Sequence, residues 1–432
     1  MIVNDYVGGG GVKAIGDIIQ AIVANGESVN AGEFVGLLNS INAGAQIFDV
    51  PGLPNPAMAA SVAQLNDTTV IITSQMNGGM LGCAVVLKII DGVFSLGTPV
   101  VIETTKNFDE IKVARINQTT AIVISNKNNM YSEKGRIKAL SVSGTSITVG
   151  SFTEFGAGNS LTDVCYLSEN KACILYRDSF LAVVTLTGAT TLSIGNDLIL
   201  TGGNLYRGRI TALTPTDVVV SASNWETNHD DQAKIRVWKC TVTGTNVSQN
   251  TYSDITTLYG AQSKSIVPIG GQRVAVYAAS SGPECDLRLF VCDVTNSSVS
   301  VLQQRVIASP TKYYPGAELA IYSSRRLFVG AYTDENNALY VQSYELSAVG
   351  IFPNIPVVVG STADYPYAVG FIALSETKYV LIYPMTASPY LRLLSIDLSK
   401  TAGVWNSNNY VTVGMAKNKG DFGSQINVYV PK

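Results

Sequence analysis

The chain has 432 residues, a net charge of −3 and only 14% charged side chains against 46% apolar ones. That length takes two or three domains or one large repeat architecture. It lacks the clustered Lys and Arg of a nucleic-acid binder, and no run approaches the roughly 18 apolar residues of a membrane span. With charge well under the usual quarter, the surface leans on Ser, Thr, Asn and Tyr, which suits an extracellular or virion-type β protein better than a helical cytosolic enzyme.

The first segment, MIVNDYVGGGG, lacks the charged start and apolar stretch of a signal peptide, so the expectation is folding in the cytoplasm where the chain is made. Gly8–Lys13 (GGGGVK) lacks the spacing of a phosphate-binding loop and reads as a flexible arm. Ile15, Ile18, Ile19, Ile22 and Val23 follow the i, i+3, i+4, i+7, i+8 spacing, which predicts one short helix ending at Asn25-Gly26. ESVNAGEFVGLLN then reads as strand on either side of Ala31-Gly32.

From Val62 a pattern recurs without gaps. Its copies begin at Val62 (VAQLNDTTVII), Val113 (VARINQTTAIV), Val164 (VCYLSENKACI), Ile210 (ITALTPTDVVV), Ile266 (IVPIGGQRVAV), Leu319 (LAIYSSRRLFV) and Phe371 (FIALSETKYVL), with starts 51, 51, 46, 56, 53 and 52 residues apart. The first, fourth, ninth and eleventh positions are apolar or aromatic, and turn residues such as Asn66-Asp67 and Gly270-Gly271 fill the middle. Short apolar runs about a polar turn predict a tight antiparallel hairpin. Each copy is followed by an alternating run, such as KIRVWKC from Lys234, and a further short one, such as PVVIE after Thr98. Four strands in a period near 50 are the signature of a propeller blade. The expected fold is therefore all-β: a seven-bladed β-propeller over residues 52–403. A closed ring brings its ends together, so residues 1–51 and 404–432 should form one small discontinuous β-module containing the short helix.

The connections between blades repeatedly carry an aromatic: Phe155, Tyr206, Tyr259, Tyr314, Tyr365 and Tyr367. Aromatic faces beside polar groups suit sugar rings, and the same residues could instead pack between blades. Two long, dissimilar polar loops, Asn126–Gly135 with Tyr131 and Asn224–Gln232 with Trp225 and His229, are placed to carry specificity. His229 is the sole histidine and sits beside Glu226, Asp230 and Asp231. That reads as a solvated loop: a Ser-His-Asp site would have to use it, and the Ca²⁺-loop spacing is absent. No paired-carboxylate box for glycoside hydrolysis is visible. The six cysteines form no C-x-x-C pair and are expected as free thiols, with Cys165 and Cys173, facing each other across one hairpin, the only plausible disulfide. No cofactor or metal is expected.

The two chain ends carry a resemblance. GESVNAGEFVGLLN together with VTVGMAKNKGDFGSQINVYV resembles the small β-modules of bacteriophage virion proteins, especially of phages of Gram-positive hosts, and the DYVGGGG start is similar to theirs. The resemblance implies a structural component of tail, fibre or capsid surface, present in many copies or as a homo-oligomer, contacting other virion proteins through the terminal module and supplying no catalytic residue. The expected function is a non-enzymatic virion protein whose propeller adheres to a host-surface glycan or polymer. A purely structural spacer or capsid-decoration role and a polysaccharide-degrading enzyme are the alternatives.

Overall fold

The computed structural model describes strands between Val3 and Pro431 with many of their turns, and side chains within Asp49–Ile396; the remaining residues, most of them between strands, lie outside the description. The described elements are all β, and no helix among them is long and apolar enough to cross a membrane.

Seven antiparallel sheets, each starting with one of the predicted hairpins, make seven blades. Blade 1 runs Ala57–Asn66, Thr69–Met76, Gly82–Ile90, with its outer edge split into Val93–Leu96 and Val100–Glu103. The innermost strands of blades 2–7 are Ile111–Arg115, Leu161–Ser168, Asn204–Thr214, Gln262–Gly270, Ala317–Ala320 and Gly370–Ala373. The second strands lie between two neighbouring blades and are buried on both faces, which is why Thr120–Ser125 is an unbroken buried run rather than an alternating one.

The inner hairpins of blades 1, 3, 4 and 5 reverse in two residues and that of blade 2 in four, and different side chains solve that problem. In blade 1 the Thr68 amide donates to Asn66 Oδ1 at 3.1 Å, and in blade 2 the Thr119 amide donates to Asn117 Oδ1 at 3.0 Å. Thr214 Oγ1 accepts from the Thr216 amide in blade 4. Blade 3 uses Asn170 at φ 63°, and blade 5 uses Gly270 and Gly271 at φ 93° and 60°. These are the residue types that close a turn through their own side chain or tolerate positive φ.

Seven apolar clusters fill the seven blade-to-blade interfaces, including the one between blades 7 and 1, where Val380, Ile382 and Leu393 meet Val70, Ile72 and Val85. The ring is closed by a strand from before blade 1. Gln46–Asp49 is the outermost strand of blade 7, paired with Leu391–Asp397. Arg392 Nε donates to Asp49 Oδ1 at 3.0 Å and the Val50 amide to the Leu391 carbonyl at 3.0 Å. Gln46–Asp49 falls within the N-terminal piece expected to stand apart, so the propeller takes its last strand from there.

Strands from both chain ends form a separate six-stranded sheet. In it Val12–Ile22 pairs with Val3–Gly8 and with Gln425–Pro431, and Phe34–Leu37 pairs with Val404–Asn406 and Thr412–Ala416. The helix expected over Ile15–Val23 is not formed: Val12–Ile22 is a strand. Five of its seven apolar residues, Val12, Ile15, Ile18, Ile19 and Ile22, are β-branched and favour extended backbone, and the pairing offered by both neighbouring strands overrides the helical spacing.

Candidate functional site

The innermost strands surround a central channel. The residue just before the first position of each repeat forms one ring around it: Ser61, Lys112, Asp163, Arg209, Ser265, Glu318 and Gly370 in blades 1 to 7, all lining one cavity of about 150 Å³. Two cations and two acids thus stand at equivalent positions of a repeat that uses Ser or Gly in the other three blades. The signal was present in the repeat alignment one column upstream of the apolar pattern.

The ring is hydrogen-bonded from blade to blade. Ser61 Oγ accepts the Val113 amide at 3.2 Å, and Ser265 Oγ accepts the Leu319 amide at 3.0 Å. The Asp163 carboxylate accepts the Val164 amide at 2.9 Å and, from the next blade, the Ile210 amide at 3.1 Å. Arg209 donates from Nε to the Lys264 carbonyl at 2.8 Å and from Nη1 to the Gly208 carbonyl at 3.0 Å. Lys112 Nζ reaches Glu318 Oε1 at 3.6 Å, joining blade 2 to blade 6.

Lys112 and Arg209 are buried, at 5% and 9% exposure, while the Glu318 side chain keeps 19% of its surface open. Removal from bulk water pushes the Asp163 and Glu318 carboxyls above their ordinary pKa values, and Lys112 and Arg209 offset part of that rise.

Beside this polar chamber lies an apolar one of about 370 Å³, walled by Leu213, Pro268, Ala320, Ile321, Ile372 and Ala373. Val267, Leu319 and Phe371 line both, so the chambers adjoin. The arrangement can hold a molecule with an apolar body and a polar end. Among the described residues no group of three or more His, Cys, Asp or Glu is placed to hold a metal ion.

The aromatic residues singled out in the sequence fall into three sets. Phe155 is 5% exposed, packs edge-on against Tyr176 at a centroid distance of 5.0 Å, and joins the apolar cluster between blades 2 and 3. Its ring fills the space over Gly135, where an added Cβ would lie 2.3 Å from Phe155 Cζ. Phe155 therefore takes the packing role. Tyr206, Trp225 and Tyr259 are brought to one end of blade 4 by three strands. Trp225 is in register with Asn204 and Ala233, Tyr259 with Gln232, and Tyr206 with Ser223. Tyr131, His229, Tyr314, Tyr365 and Tyr367 lie outside the described residues.

Cys165 and Cys173 are direct cross-strand partners, as the hairpin register implied, and both are free thiols. With Cys240 they belong to the apolar cluster between blades 3 and 4, whereas Cys292 lies in the next cluster round. Burial raises all of these thiols, Cys240 and Cys292 to about 12. Cys83 is a further buried free thiol, and Cys285 is outside the described residues.

No protein-family model matches the chain. No curated protein matches it either. Solved structures do, at low identity. A periplasmic gluconolactonase of Pseudomonas aeruginosa is similar at 12% identity and a TM-score of 0.54, over 81% of this chain and 98% of that one. The WD40 β-propeller domain of Doa1 is similar at 10% identity and a TM-score of 0.47, over 81% and 96%. A chain of a mitotic checkpoint complex is similar at 8% identity and a TM-score of 0.48, over 82% and 94%. At such identities the likeness is one of fold, and the chain is a seven-bladed β-propeller of the general kind that carries many unrelated functions.

Proposed function

We propose that this chain is a non-enzymatic bacteriophage virion protein whose propeller adheres to a host-surface glycan or polymer. The observation that carries the adhesive reading is the register that places Tyr206, Trp225 and Tyr259 in three strands at the same end of blade 4. Aromatic residues at the end of a rigid blade offer sugar rings large contact area at low entropic cost. The virion reading rests on the terminal motifs. The strand in AGEFVGLLN pairs with the one in VTVGMAK, and that one with INVYV, so the segments that resemble phage β-modules are neighbours in one sheet. In this reading the terminal sheet anchors the protein to the particle, and many copies turn weak sites into avidity.

A degradative reading draws on a different observation, the presence of Asp163 and Glu318 in one chamber with raised carboxyl pKa values. Two such groups are what glycoside hydrolysis needs. Asp163 is held by two backbone amides and Glu318 by Lys112, so both carboxyls are already engaged within the ring. The virion assignment is tested by mass spectrometry and antibody labelling of purified particles from cells that make this protein. The protein should travel with intact particles and label their surface; its recovery only in the soluble fraction would contradict the assignment.

A further inference from the structure

We infer that the central channel binds a small zwitterionic amphiphile with the size and chemistry of an apolar α-amino acid, at a site separate from any loop surface that recognises a polymer. The fold does not require charge at the ring, since Ser61, Ser265 and Gly370 occupy the equivalent positions of three blades. Confining Lys112, Asp163, Arg209 and Glu318 there carries a desolvation cost that apolar side chains of similar volume would avoid. Charges kept in a cavity at such a cost mark a functional site.

The adjoining spaces define the ligand. A chamber of about 150 Å³ bearing the ring shares three walls with the apolar chamber of about 370 Å³, so the ligand has one polar end and an apolar body. The ring carries two positive and two negative side chains and sums to zero. A singly charged head would leave one confined charge without a counterpart. A zwitterion leaves none: its ammonium faces the Glu318 carboxylate and its carboxylate faces the Lys112 ammonium, so one ion pair is replaced by two. That pair is the looser one: its atoms stand 3.6 Å apart, with Ser265 also hydrogen-bonded to Glu318, whereas Asp163 is held by two backbone amides and Arg209 by two carbonyls at 2.8–3.1 Å. An uncharged polyol would suit the ring but not the apolar walls.

Isothermal titration of the full chain with L-leucine and L-phenylalanine tests this, with 3-methylbutylamine, 4-methylpentanoate and erythritol as comparators. Both amino acids should bind saturably, the two singly charged analogues about tenfold or more weaker, and erythritol not measurably. The double variant K112M/E318L should lose amino-acid binding while its melting temperature holds or rises, because an apolar pair replaces an ion pair. E318Q, which keeps the shape of the side chain, should weaken L-leucine binding about tenfold or more in a chain that melts cooperatively. Absence of saturable binding by both amino acids, equal binding of the singly charged analogues, or unchanged binding in a folded variant would overturn the inference.

Discussion

Lys112 of blade 2 and Glu318 of blade 6 meet inside the channel, Nζ to Oε1 at 3.6 Å, so a contact across the ring joins blades that are not neighbours in sequence. Confinement raises the Glu318 carboxyl more than Lys112 and Arg209 lower it. The folded state therefore holds this proton to higher pH than the unfolded chain does. The stability from Glu318 is present below the ordinary carboxylate pKa and is lost as pH rises through the folded value. E318Q does not titrate, so its melting temperature should gain on that of the native chain as pH is raised from about 4 to about 7. Thermal melts of the two proteins across that range check this; a constant gap, or one that closes with rising pH, would refute it.

Phe155 packs between blades rather than reaching for a ligand. F155A should lower stability by about 3–5 kcal/mol, as buried Phe→Ala changes do. F155L should cost clearly less and leave any polymer binding intact. Denaturant unfolding with a parallel binding assay separates these outcomes.

The ring closes through Gln46–Asp49 on the edge of blade 7. The Arg392–Asp49 pair is largely exposed on the Asp49 side, so D49A should change stability by no more than about 1 kcal/mol. Removing residues 1–49 strips a whole strand from Leu391–Asp397 and should broaden the unfolding transition and lower its midpoint well beyond the D49A effect. Equal midpoints for D49A and the truncation would show that this strand does not close the ring.

Cys83, Cys165, Cys173, Cys240 and Cys292 are buried thiols with raised pKa values. A thiol-specific reagent at pH 8 should leave these five unmodified in the folded protein and label them all in guanidinium, because the thiolate is the reacting form. Mass spectrometry of the labelled peptides reads this out. Rapid native labelling of Cys165 or Cys173 would show that the interface of blades 3 and 4 opens.

The blades were legible because a propeller imposes the same burial on every copy. Leu65, Ile116 and Leu167 recur at one position, and Val70, Ala121 and Ala172 at another, since each inner hairpin packs against two neighbours. Two parts were not legible for physical reasons. Isoleucines at helical spacing in Val12–Ile22 satisfy a strand equally well, and only partners distant in sequence decide between them. Gln46–Asp49 is too short to announce itself, and its place on blade 7 comes from ring closure rather than from local pattern. The channel ring was readable as a column of charge beside the repeat, but its meaning depends on seven equivalent residues converging at one axis. The aromatic loop residues show the limit of residue type alone: Phe155 packs between blades, while Trp225 and Tyr259 end two strands of blade 4, and the sequence presents all three alike.

Adhesion without turnover is tested most directly by passing the purified full-length protein over immobilised cell-wall polymers of Gram-positive bacteria while following polymer chain length. The account predicts retention on at least one polymer with its chain length unchanged, and loss of that retention in W225A/Y259A with the fold intact. Shortening of the polymer that disappears in D163N or E318Q, or retention on none of the polymers, would contradict it.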